Sequence, residues 1–353
     1  MKKQRLIIFL CITTILGCKK NDTGTNPQHP SLNLSAVAAP FTIVGGAKFY
    51  SNVSYDTDPK NVFDIFVPSS TKPTGLVIQI HGGGFKSGDK ADNYNAASFQ
   101  NEVNSFLADT IAYATLNYRL LLDVNEQEGV LKSLNDSKRA LQFIRYYSKD
   151  FNIDKTNIVV KGGSAGAGTC LWIGLNNDMA NPNATDPVLK ESNATDPVLK
   201  ESTRIKAIVA NNSQASYDVQ NWPTDVFMEY QDDGLDADSM LSIATMETFL
   251  QFYGISDTSE LHTPEMISYA AKVNMLQSFS PDDPSIYVVS TNIPYTFPAV
   301  KGNLIHHPLQ GKALMDKANI VGIPCKAYIP EMGIDNTSGE STYNFLVRKL
   351  REG

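Results

Sequence analysis

Histidine is scarce in this chain: five of 353 residues, at His29, His81, His262, His306 and His307, with none after His307. Any chemistry that needs a neutral base near pH 7 must draw on this short supply. Cysteine is scarcer still, with four. Cys11 and Cys18 fall near an apolar leader, while Cys170 and Cys325 stand far apart, each inside an apolar pattern. Two buried thiols are therefore expected, and no metal-ligand spacing is present. Positive charge is also in deficit: 30 Lys and Arg against 37 Asp and Glu leave a net charge of -7. That balance argues against a phosphate-tracking surface and against nucleic acid as a partner. The leading apolar run, Leu6 to Gly17, has twelve residues, too few for the roughly 20 that a helix needs to cross a bilayer core.

What is there begins with that run. Preceded by Lys2, Lys3 and Arg5, it reads as an export signal over residues 1–17. Gly17 before Cys18 resembles a bacterial lipobox, which makes Cys18 the expected lipidation site and residues 18–44 a flexible tether. An ordinary secretory signal with an incidental cysteine is the alternative. On the first reading the protein is exported and lipid-anchored at the cell envelope, in the periplasm or at the outer membrane.

Residues 45–353, in a chain with 42% hydrophobic content, suit one large α/β domain. Short strand-like runs alternate with longer helix-like ones, the mark of a mostly parallel sheet with helices on both faces. "AKFYSNVSYD" and "NVFDIFVP" read as two edge strands, "TGLVIQIHG" as a buried strand, and "SLNDSKRALQFIRYYSKDF" as an amphipathic helix. Later strands are expected at "TNIVVKGG", "RIKAIVANN", "PSIYVVS" and "PCKAYIP", with helices near 308–321 and at the C-terminal "GESTYNFLVRKLRE". Two segments interrupt the order. "NATDPVLKES" occurs twice, at 183–192 and 193–202, and reads as a duplicated surface loop. A stretch rich in aromatics at 217–281 reads as a helical cap.

Two motifs carry chemistry. Gly162-Gly163-Ser164-Ala165-Gly166 fits G-x-S-x-G at a strand-to-helix junction, where a sharp turn exposes a nucleophilic hydroxyl. "HGGGF", from His81 to Phe85, follows the buried strand and can aim backbone N–H groups at an oxyanion. With these residues, "NYRL" at 117–120 and the helix near Asp136, the chain resembles the α/β-hydrolase superfamily, in its carboxylesterase and hormone-sensitive-lipase-like branch, over about residues 45 to 350. The resemblance implies Ser164 as nucleophile, an oxyanion hole from the N–H groups of Gly83, Gly84 and Ala165, and His81 as a residue shaping the loop. No cofactor and no metal is expected.

The resemblance also implies an acid after the strand at 285–291 and a histidine after the strand at 324–330, and neither is there. No Asp or Glu stands between Asp283 and Asp316, and Ile334 occupies the histidine's place. His306 and His307 have two readings. Either they are a helix-start pair bonded to backbone ahead of Pro308, or one reaches Ser164 from an unusual direction. Glu331 and Asp335 are candidate orienting carboxylates. The expected function is a serine carboxylesterase acting on a small or carbohydrate-linked ester through a Ser164 acyl-enzyme. The alternative is a hydrolase fold that lacks the usual acid and base and binds a small ligand instead.

Overall fold

In the computed structural model, residues 31–123, 125–184 and 196–352 are described. The expected signal, Cys18 and most of the duplicated segment lie outside the described residues. Among the described residues the apolar runs form nine strands: β1 (Lys48–Ser54), β2 (Val62–Val67), β3 (Thr74–Ile80), β4 (Ala112–Leu116), β5 (Ile153–Gly163), β6 (Ala207–Asn211), β7 (Ser285–Val289), β8 (Cys325–Ile329) and β9 (Ile334–Asp335). They make one sheet in the order β1-β2-β4-β3-β5-β6-β7-β8-β9. From β4 to β8 every pairing is parallel, while β1, β2 and β9 join antiparallel. Parallel strands must be covered on both faces, which is why β3 and β5 read as nearly unbroken apolar runs.

The flanking helices are α1 (Ala97–Ala108), α2 (Val130–Tyr146) and α3 (Ala165–Leu175). Between β6 and β7 lie α4 (Trp222–Asp225), α5 (Ala237–Ala244), α6 (Met246–Tyr253), α7 (Pro264–Val273) and α8 (Met275–Ser278). After β7 come α9 (Lys301–Ile305), α10 (Pro308–Val321) and α11 (Thr342–Arg351). Side chains alternate across the sheet. Val77, Val159 and Val209 meet Phe106 of α1 and Phe345 and Leu346 of α11 on one face. On the opposite face Gly174 of α3 closes on Ile208, and Gly311 of α10 on Val288. The segment between β6 and β7 has an apolar cluster of its own, with Phe249, Tyr253, Ile255, Leu261 and Met266.

Two expectations are corrected here. β2 is no edge strand, because it pairs with both β1 and β4. The expected tether is too long: the packed unit begins at Asn33. Phe41 packs its ring 5.3 Å from that of Phe66 and 6.0 Å from that of Phe99, and the Val37 N–H donates to the Phe49 carbonyl at 2.9 Å. A ring packed half-buried against the core cannot belong to a solvated linker. Cys170 is buried and Cys325 only half-buried, and both are free thiols.

Candidate active site

Ser164 sits where β5 ends and α3 begins, with φ 52° and ψ -123°, a left-handed conformation that an L-residue adopts only under constraint. The constraint is close packing around the bend. A Cβ on Gly162 would lie 2.4 Å from the Gly166 carbonyl carbon, and one on Gly166 would lie 2.1 Å from the Ile80 carbonyl oxygen. Only glycine lets the three backbone segments approach so closely. The Ser164 N–H donates to Asn211 O at 2.9 Å, tying the bend to β6. Its side chain stays half-buried and reaches a cavity.

The loop after β3 turns toward the same point. Gly83, Gly84 and Phe85 have φ values of 103°, 60° and 61°. Phe85 is buried, with its carbonyl accepting from Leu121 N at 2.7 Å and its ring 5.4 Å from that of Tyr217. Anchored this way, the loop leaves Gly83 and Gly84 lining one cavity together with Ser164 and Ala165. Among the described residues, none accepts a hydrogen bond from the N–H groups of Gly83, Gly84 or Ala165. Three donors with no protein acceptor, gathered beside a hydroxyl, can receive a developing oxyanion. His81 shapes the loop: Nδ1 donates to Gly82 O at 2.7 Å, and the ring stacks on Tyr118 at 4.3 Å. Asn117 accepts from Lys90 N at 2.6 Å and donates to Asp89 at 2.7 Å, and Arg119 forks onto Asp136 at 2.8 and 2.7 Å.

The histidine pair divides between its two readings. His306, at the C-terminal end of α9, places Nε2 2.8 Å from Ser164 Oγ. Burial alone pushes its pKa below the ordinary value, so the ring stays neutral at pH 7 with Nε2 able to accept the serine proton. His307 is fully buried and is corrected as a candidate base, because both ring nitrogens are engaged elsewhere. Its Nδ1 accepts from Leu309 N at 3.2 Å, capping α10, while Nε2 donates to Thr296 O at 3.0 Å.

Neither candidate carboxylate meets His306. Glu331 accepts from Asn292 N at 2.7 Å, and Asp335 holds the Thr337 hydroxyl at 2.7 Å. Among the described residues, His306 forms no hydrogen bond or ion pair with a carboxylate. Ile334 lies in β9, paired with Ile329.

Two cavities meet at Ser164. One, of about 330 Å³, carries the oxyanion donors and a wall of Phe85, Tyr217, Trp222, Phe249 and Phe252. The other, of about 390 Å³, is lined by His306 with Asn211, Asn212, Thr291 and Asn292. Sequence reasoning did not single out Lys86 or Lys301, both of which line the first cavity. The available signals were position, since Lys86 directly follows the HGGGF stretch and Lys301 stands five residues before His306.

The sheet, the bend at Ser164 and the glycine loop define an α/β hydrolase. Within that superfamily the chain belongs to the BD-FAE family, whose model matches residues 63–278. Among curated proteins no match is found. Of solved structures, a truncated carbohydrate esterase from gut microbiota is similar at 15% identity and a TM-score of 0.57, over 91% of this chain and 99% of that one. An acetyl ester-xyloside bifunctional hydrolase from Caldicellulosiruptor lactoaceticus is similar at 19% identity and a TM-score of 0.50, over 77% and 79%. An inhibited esterase B from Lactobacillus rhamnosis is similar at 14% identity and a TM-score of 0.50, over 81% and 76%. At such identities the likeness is one of fold.

Proposed function

We propose that the protein is a serine carboxylesterase acting by acyl transfer through Ser164, with His306 as the base. The reading is carried by the 2.8 Å approach of His306 Nε2 to Ser164 Oγ beside the uncommitted N–H groups of Gly83, Gly84 and Ala165. His306 takes the hydroxyl proton as Oγ attacks the ester carbonyl, and the three N–H groups receive the negative charge. The imidazolium then protonates the departing alcohol, and water repeats the sequence to free the acid. A carbohydrate-linked ester is the proposed substrate. The alcohol would lie in the cavity beside His306, where the amides of Asn211, Asn212 and Asn292 suit sugar hydroxyls. The structural likeness to a carbohydrate esterase and to an acetyl ester-xyloside bifunctional hydrolase supports the same direction. We further propose export and a lipid anchor on Cys18.

One observation favours a second reading, a ligand-binding hydrolase fold of low activity: among the described residues, His306 has no carboxylate to orient it or to steady its charged form. A fluorophosphonate probe separates the two. The esterase reading expects labelling of the wild type, no labelling of Ser164→Ala and strongly slowed labelling of His306→Ala; a wild type that resists the probe supports the binding protein.

A further inference from the structure

The aromatic cavity contains a charge arrangement that ester cleavage does not require. Lys86 enters it from the glycine loop and Lys301 from the first turn of α9. Among the described residues, neither makes a salt bridge, and no Asp or Glu lines the cavity. Lys301 donates to Thr248 Oγ1 at 3.2 Å, a neutral acceptor. Both side chains are half-buried. Burial first, and the charge of Lys86 second, push the Lys301 pKa below its ordinary value, so the charged state of Lys301 is disfavoured there. In a chain with a net charge of -7, two cations sharing an aromatic chamber without an anion are a cost that a bound carboxylate would remove.

Which end of the ester that carboxylate belongs to follows from His306. The leaving oxygen must face the histidine that protonates it, and His306 lines the other cavity, so the alcohol takes that side. The acyl chain then runs from the oxyanion donors into the aromatic cavity and toward the lysines. At ~30 Å³ for each water-sized group, the cavity of about 330 Å³ holds a chain of roughly ten non-hydrogen atoms.

We propose that the preferred acyl group ends in a carboxylate held by Lys86 and Lys301, so that the substrate is a monoester of a short dicarboxylic acid. The acyl assignment rests on the esterase reading. The carboxylate site itself can be tested without turnover.

The kinetic test compares the p-nitrophenyl monoester of adipic acid with its neutral isostere, in which an isopropyl group replaces the carboxylate, after subtraction of enzyme-free hydrolysis. A charge-assisted pair supports a preference for the acid-ended ester of about tenfold to hundredfold in kcat/KM. In Lys86→Met with Lys301→Met that ratio should fall to one or below, and each single variant should lie between. A wild type that prefers the isostere, or a ratio unmoved in the double variant, overturns the proposal. Calorimetry with free adipate provides the second arm, with binding to wild type and Ser164→Ala and loss of binding in the lysine double variant. If phosphonate labelling and turnover both fail while adipate binding depends on the lysines, the esterase reading falls and the carboxylate site stands. Binding that survives without the lysines, or that is absent from the wild type, overturns the site.

Discussion

The two halves of the site are built in different ways. The half formed by the bend at Ser164 and the loop from His81 to Phe85 is made of backbone: its donors are N–H groups and its geometry is forced by contacts such as the 2.1 Å that a Cβ on Gly166 would make with Ile80 O. The half formed by the chain after β7 and β8 is made of side chains on short irregular segments, where His306 ends a helix of five residues and Glu331 and Asp335 bond to local backbone and hydroxyl groups. A backbone site cannot move without refolding the junction. A side-chain site can be supplied from any nearby segment whose tip reaches the hydroxyl, and here the histidine that meets Ser164 comes from the chain after β7 rather than from the chain after β8.

The largest test of this contrast is Ser164→Ala, which removes the proposed nucleophile and is expected to lower kcat by about 10⁶, with loss of phosphonate labelling. His306→Ala should cost about 10⁴ or more, while a transplanted histidine at Ile334 would test whether the usual side of the sheet can take over; full activity in His306→Ala would sink the assignment of the base. Gly166→Ala attacks the backbone half. With no room for the methyl group, it should reduce stability by several kcal/mol, well beyond the ~1 kcal/mol typical of single substitutions, visible as a lower thermal midpoint. His307→Ala sharpens the comparison of adjacent histidines. Losing a buried ring and its two hydrogen bonds should cost about 2–4 kcal/mol in denaturant unfolding, with kcat reduced far less than in His306→Ala. The smallest effect is in pH. On the proposed mechanism catalysis needs neutral His306, whose pKa is lowered by burial, so kcat/KM should hold as pH falls through 6.5 and decline only below it. A midpoint above 6.5 would instead require a carboxylate acting on the ring.

Much of the framework was legible because its signals are local. The helix at 308–321 is α10, and the G-x-S-x-G junction reads from glycine spacing alone. The interior place of β2 is not legible in its sequence, because Asp64 interrupts its apolar pattern. Asp64 is in fact buried, accepting from Tyr94 Oη at 2.7 Å and Asn52 N at 2.6 Å and pairing with Lys90 at 3.0 Å, partners that come from elsewhere in the chain. The division of labour between His306 and His307 was not legible either. Which ring faces Ser164 depends on how α9 meets α10, and five residues of helix carry no periodic pattern to announce it. The lysine pair was hidden for the same reason, since Lys86 and Lys301 are brought together only by tertiary folding.

One contact outside the chemistry has a reach of its own. Tyr217, in the segment between β6 and β7, donates its hydroxyl to Ala165 O at 2.9 Å, and presses so close to α3 that a Cβ on Gly168 would come within 2.0 Å of the Tyr217 hydroxyl oxygen. The missing methyl at position 168 therefore sets where one wall of the aromatic cavity rests. Adding it would displace that wall rather than narrow a gap, so on the proposed esterase reading the size of acid accepted would be governed in part by a residue the substrate never touches.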